Sequence, residues 1–214
     1  DAREREDKEE EIKFLMDLGA VYRDEVNEPE SAATSFRKVL EIEPAYTQAL
    51  QSLEQIYKQL GKLVEMAELV GQKLQIAQSD SERLELYIHL GTLYEKELDD
   101  PDQAIDAFCY ALSLDSKRLD VLKALDWLYL RKKKWQELAD ICAREIELID
   151  DVTEKAELCY RLGIIKRDRF SEHETAKNLF LQAIEYSPEH RKALKALTGL
   201  AIREEDWTQA VRYI

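Results

Sequence analysis

The sequence predicts an all-α protein built from helix pairs stacked in tandem. Three observations carry this. Gly and Pro number only 6 and 4 in 214 residues, while Ala, Leu, Glu, Lys and Gln abound, a composition that favours helices over sheets. In stretches such as "LGTLYEKELDDPDQAIDAFCYALSLD" (90–115) apolar residues recur three and four apart, interrupted by an acidic, proline-bearing break. The pattern also repeats without a gap. Gly19, Gly91 and Gly163 are equally spaced (91 − 19 = 163 − 91 = 72). The same period links Phe36, Phe108 and Phe180, then Leu53, Leu125 and Leu197, then Leu63, Trp135 and Trp207. Internal repetition of this kind decides the fold before any single helix does.

Each block of this period divides again into two halves, each reading helix, short break, helix. Helices are expected near 8–25, 28–42, 45–59, 62–77, 80–97, 100–114, 117–132, 134–149, 152–169, 172–186, 189–203 and 206–214, with 1–7 as a charged lead-in. Asp7, Ser79 and Asp151, each followed three residues on by Glu, are read as N-caps of first helices. Asn27, Asp99 and Ser171 are read the same way for second helices, with Glu30, Asp102 and Glu174 completing the pattern. Pro29 and Pro101 fit the first helical turn, where a missing N–H costs little. A lone pair of this kind cannot bury its apolar face, so pairs must stack. Phe36, Phe108, Phe180, Trp135, Trp207, Tyr22 and Tyr94 are expected in the core.

Leu90, Gly91, Tyr94, Ala104, Phe108 and Ala111 form a pattern that resembles the tetratricopeptide repeat family, of bacterial type. Leu18, Gly19, Tyr22, Ala32, Phe36 and Pro44 match it too, as do Leu162, Gly163, Ala176, Phe180, Ala183 and Pro188. The even units match less well: Asp126 stands where Gly is expected. The resemblance implies a right-handed superhelical solenoid over 8–214, with units near 12–46, 47–83, 84–118, 119–155 and 156–190 and a partial sixth at 191–214. The chain ends inside what should be a second helix, which suggests a piece of a longer protein whose open C-terminal face could self-associate.

Composition narrows the function. The net charge of −14 repels nucleic acid and anionic membranes. No apolar run approaches the roughly 20 residues of a membrane span. Cys109, Cys142 and Cys159 each fall in an apolar helical pattern, which suggests buried free thiols in a reducing compartment, and the acidic, cysteine-poor repeats point to a bacterial cytoplasm. No CxxC, Cys/His cluster, phosphate loop, GxSxG or HExxH occurs, so neither metal, cofactor nor catalysis is expected. The dense basic run "RKKKW" (131–135) reads as a solvated loop.

Function is therefore sought on the first helices, which in the resembled family line a concave peptide-holding face. Helical register turns Ile88 and Thr92, Lys123, Trp127 and Leu130, Tyr160, Ile164 and Arg167, and Lys195 outward. These form an expected partner-binding band of apolar and aromatic residues edged by cations. The family's carboxylate-gripping members use an Asn at such positions, and none is present among them. The expectation is a non-enzymatic scaffold or adaptor whose partner is a protein or peptide, acidic with apolar anchors. Alternatives are a recruiting domain of a larger enzyme and a peptide-signal receptor.

Overall fold

The computed structural model describes residues 2–214, with side chains from residue 4 onward. Among the described residues there is no strand. Twelve helices follow one another: α1 (Ala2–Val21, continued by a π-helical turn Tyr22–Val26), α2 (Pro29–Ile42), α3 (Thr47–Leu60), α4 (Leu63–Ile76), α5 (Asp80–Lys96), α6 (Pro101–Leu114), α7 (Leu119–Lys132), α8 (Trp135–Leu148), α9 (Val152–Phe170), α10 (His173–Tyr186), α11 (Arg191–Arg203) and α12 (Trp207–Arg212). The chain divides into two compact units, Asp1–Leu114 and Asp115–Ile214. Within each, every helix packs on its neighbours in sequence. No helix is long and apolar enough to cross a membrane, among the described residues.

A glycine-to-ring contact organises the odd pairs. The ring of Phe36 on α2 lies against Gly19 on α1, and those of Phe108 and Phe180 lie likewise against Gly91 and Gly163. All three rings are buried, beside the buried Ala32, Ala104 and Ala176. Small residues on one helix let the aromatic of the next reach its backbone. In the even pairs Leu53, Leu125 and Leu197 fill the core with Leu138.

The breaks between paired helices have a shared cause. Asn27, Asp99 and Ser171, and in the even pairs Gly61, Lys133 and Glu205, all have positive φ between 50° and 65°. Both sets recur with the period of the glycines. The residue after each donates its N–H back to a carbonyl near the helix end. In the odd pairs these bonds are Glu28→Tyr22, Asp100→Tyr94 and Glu172→Lys166; in the even pairs they are one position shorter, Lys62→Tyr57, Lys134→Tyr129 and Asp206→Ala201. This is the left-handed helix ending, which satisfies the last carbonyls and turns the chain. It corrects the capping expected of Asn27, Asp99 and Ser171: they close the first helices rather than open the second. Asn, Asp and Ser suit both tasks, because a short polar side chain tolerates the left-handed region and also caps an N-terminus.

Other expectations held in place. Ser79 and Asp151 accept the N–H of Glu82 and Glu154 at 3.1 and 2.7 Å, and Pro29 and Pro101 open α2 and α6. Three did not. Residues 2–7 are helical, so Asp7 lies inside α1 and not at its N-cap; residue 1 lies outside the described residues. Cys109 is exposed, since it follows Phe108 on α6 and a step of about 100° carries it off the core face. Trp207 is 64% exposed. Its counterpart Trp135 is half-buried under the guanidinium of Arg169, 4.1 Å from the ring centroid.

Candidate functional site

The outward band divides between the two units. In the first unit Ile88 and Thr92 sit half-buried on α5, and the Thr92 hydroxyl donates to the Ile88 carbonyl at 2.8 Å. The remaining positions lie in the second unit, on α7, α9 and α11, the first helices of the last three pairs. Tyr160, Ile164, Arg167 and Lys195 come together there, lining a groove of about 450 Å³ between α9 and α11. Lys192, Ala196, Gly199, Leu200 and Arg203 complete its wall.

The groove has an apolar floor and a cationic rim. Tyr160, Ile164, Ala196 and Leu200 form the floor, and Gly199 keeps it open because it projects no side chain. Tyr160 is held from behind: its ring lies 5.8 Å from that of Phe180 and 5.4 Å from that of His190. His190 is itself fixed, its Nδ1 accepting the N–H of Ala193 and its Nε2 lying 3.1 Å from Glu157. The rim carries Arg167, Lys192, Lys195 and Arg203, and no acidic residue lines the groove. Arg167 donates to Asp168 at 2.6 Å and Lys192 to Glu157 at 2.8 Å. Those hydrogen bonds hold both carboxyls below their ordinary range and both bases above theirs. Lys195 and Arg203 make no salt bridge within 4.0 Å among the described residues, although the Arg203 charge also helps to hold the Asp168 carboxyl down.

The other band positions on α7 are separate from the groove. Trp127 and Leu130 are 48% and 46% exposed, and the guanidinium of Arg131 lies 5.5 Å from the Trp127 ring centroid. Trp127 and Leu130 do not line the groove that holds Tyr160 and Ile164. Lys123 reaches across to α9 instead and donates to Glu154 at 2.7 Å.

Beneath Lys123 lies a polar cluster that the sequence did not announce. Asp126 on α7, Cys142 and Glu145 on α8, and Arg161 on α9 meet inside the second unit. Arg161 Nη2 donates to Asp126 Oδ1 and lies 3.2 Å from Cys142 Sγ and 3.6 Å from Glu145 Oε2. Asp126, Cys142 and Glu145 are buried, Glu145 to 2% exposure. Burial, and next the Asp126 charge, push the Glu145 carboxyl up to about 7, and burial pushes the Cys142 thiol up to about 12. The signal in the sequence was a departure from the repeat: one period earlier, Val70 and Lys73 stand in the places of Cys142 and Glu145.

Residues 84–118, which hold the Gly91–Phe108 contact, match the description Tetratricopeptide repeat. The same contact recurs one period before and one period after. Residues 84–118 are a tetratricopeptide repeat. The chain is also similar to solved structures. YrrB, described as a tetratricopeptide repeat protein with an unusual peptide-binding site, is 21% identical over 85% of this chain and 89% of its own, with a TM-score of 0.46. MamA is 20% identical over 92% and 91%, with a TM-score of 0.47. PilF of Pseudomonas aeruginosa is 20% identical over 96% and 90%, with a TM-score of 0.44. No curated protein matches the chain. The tetratricopeptide fold is that of a protein–protein interaction scaffold, typically non-catalytic.

Proposed function

We propose that this chain is a non-enzymatic scaffold that holds an acidic protein or peptide segment in the α9–α11 groove of its second unit. The observation that carries this reading is the rim: four cations and no acid, in a chain whose net charge is −14. Two of those cations are already neutralised locally, by Asp168 and Glu157. Lys195 and Arg203 remain for a partner's carboxylates, while an apolar side chain fits over Gly199 between Tyr160, Ile164 and Leu200. Charge complementarity of this kind sets partner choice and on-rate, and an apolar anchor in a pocket sets residence time. Trp127 and Leu130, exposed on the preceding first helix, extend the apolar area the partner can cover.

The test uses a fluorescein-labelled acidic heptapeptide with one central Phe, and a second peptide with Lys at every acidic position. The acidic peptide should bind, and weaken as salt screens the rim. Lys195→Glu with Arg203→Glu should weaken it by about tenfold or more, and Gly199→Leu should block the anchor. Equal binding of the basic peptide, or an unchanged affinity in the charge-reversal variant, would show that the groove is not the partner site.

A further inference from the structure

We propose that Asp126, Cys142 and Glu145 form a binding site for one thiophilic divalent cation of the zinc class, distinct from the groove. Their ligand atoms, one thiol sulfur and two carboxylate oxygens, all lie within 4.8 Å of one another. Cys142 and Glu145 are three positions apart on α8 and so share a face, and Asp126 meets them from α7. Zinc bonds of about 2.0–2.3 Å hold ligand atoms roughly 3.5 Å apart, so the cluster needs to contract by about 1 Å. Three protein ligands with solvent as the fourth is a common zinc arrangement, and a mixed thiolate–carboxylate set suits that metal better than magnesium or calcium.

Two observations beyond proximity point to a ligand. Glu145 Oε2 is buried and has no hydrogen-bond partner, and the carboxyl lines a cavity of about 240 Å³ with Asp126, Lys123, Glu154 and Arg161. A buried carboxylate oxygen that makes no hydrogen bond, with only the Arg161 guanidinium 3.6 Å away, is costly unless something completes it. The repeat supplies an internal control. At the equivalent place in the first unit Glu54 pairs directly with Lys73, beside Val70. That version is closed, one acid with one base, and shows that stacking does not require a second acid here. The second unit keeps the acid as Asp126 and takes its base from α9 as Arg161, which leaves the places of Lys73 and Val70 to two metal-ligating residue types, Glu145 and Cys142.

Arg161 marks where the charge belongs. Its Nη2 is within 3.6 Å of all three ligand atoms, so the donors already converge on a cation. Its side chain is 35% exposed and lines the same cavity as Glu157, which gives the guanidinium a short way out when an ion enters. Binding then forms bonds from the ion to sulfur and to two oxygens. The thiol proton of Cys142, and any proton on Glu145, leaves to solvent.

The experiment is a titration of the metal-free chain with cobalt(II), followed by zinc. A thiolate-to-cobalt charge-transfer band should appear, saturate at one equivalent and be bleached by zinc. Cys142→Ser should abolish it, while Cys159→Ser and Cys109→Ser keep it. Glu145→Gln, nearly isosteric, should weaken cobalt by more than the roughly tenfold that losing an outer-shell partner costs, and Arg161→Gln should tighten it. Circular dichroism of each variant verifies the helices, and Glu145→Gln serves should Cys142→Ser fail to fold. No band in the wild-type chain, a band that survives Cys142→Ser, or cobalt affinity unchanged by Glu145→Gln overturns the site and leaves the cluster as an Arg161 ion pair alone.

Discussion

Replacing a helical glycine by alanine should have opposite signs at Gly91 and Gly71. An exposed helix gains about 0.5–1 kcal/mol from this change, because alanine loses less backbone entropy on folding. At Gly71 in α4 a Cβ would meet nothing within 4 Å, so the gain should appear in full. At Gly91 the same Cβ would lie 2.6 Å from Phe108 Cε1 and 2.7 Å from Cδ1, against about 3.5–4.0 Å for carbons in contact. The ring is 2% exposed and has no room to retreat. Overpacking of this order costs about 1–3 kcal/mol, so the net loss should be about 1–2 kcal/mol after the propensity gain, or several degrees in Tm. Urea unfolding of both variants gives the comparison. Phe108→Leu combined with Gly91→Ala should recover at least about 0.5 kcal/mol relative to the sum of the single changes, as expected for residues in contact. Should Gly91→Ala stabilise the chain as Gly71→Ala does, or the double change prove additive, the glycine-to-ring seam is not what sets the pair geometry.

Other measurements probe the polar cluster, the turns and the outward face. The Glu145 carboxyl, raised from 4.5 to about 7 in the folded chain, keeps its proton there while the unfolded chain releases it. Stability should therefore fall as pH rises from about 4.5 to about 7 and then level, by on the order of 3 kcal/mol. In chelator, Glu145→Gln should lack that slope, and parallel pH profiles for the two chains would contradict it. Lys133 holds φ 56° where its counterpart is Gly61, so Lys133→Gly should stabilise by about 1 kcal/mol, read as a higher urea midpoint; a lower one would mean the left-handed turn carries no strain. Trp127→Ala removes a ring that is 48% exposed and touched by Arg131, so its Tm should drop by no more than a few degrees. A much lower Tm would make it a packing residue.

The repeat made most of the architecture legible, because a stacked array reuses one solution. Whatever recurs with the period had to serve packing or turning: Gly91 with its ring, Leu125, Pro101 in its first turn. The same logic mislaid Asp99, since periodicity shows that a polar residue is needed at a break without showing which helix end it serves. Only the backbone, with φ at 50°, separates a helix closing from a helix opening. Trp207 shows a second limit of the pattern: equivalence to Trp135 predicts a core position, but burial depends on the next element supplying a partner such as Arg169.

The candidate sites were less legible for the complementary reason. Function in a repeat array lies where one unit departs from the others, and each departure looks like noise until the fold shows what it faces. Tyr160, Ile164, Arg167 and Lys195 were found by register alone, because a helix of known orientation fixes which positions point outward. What register could not supply was their company. Arg203, one turn beyond Gly199, completes the cationic rim only because α9 and α11 lie side by side. Asp126 was visible as the residue standing where the odd units carry glycine. Cys142 and Glu145 were visible as substitutes for Val70 and Lys73. Separately, each reads as tolerated drift on a charged helix. Placed within 4.8 Å of one another, with one carboxylate oxygen lacking a hydrogen bond, the two departures Cys142 and Glu145 meet the retained acid Asp126 at one place, which no single helix shows.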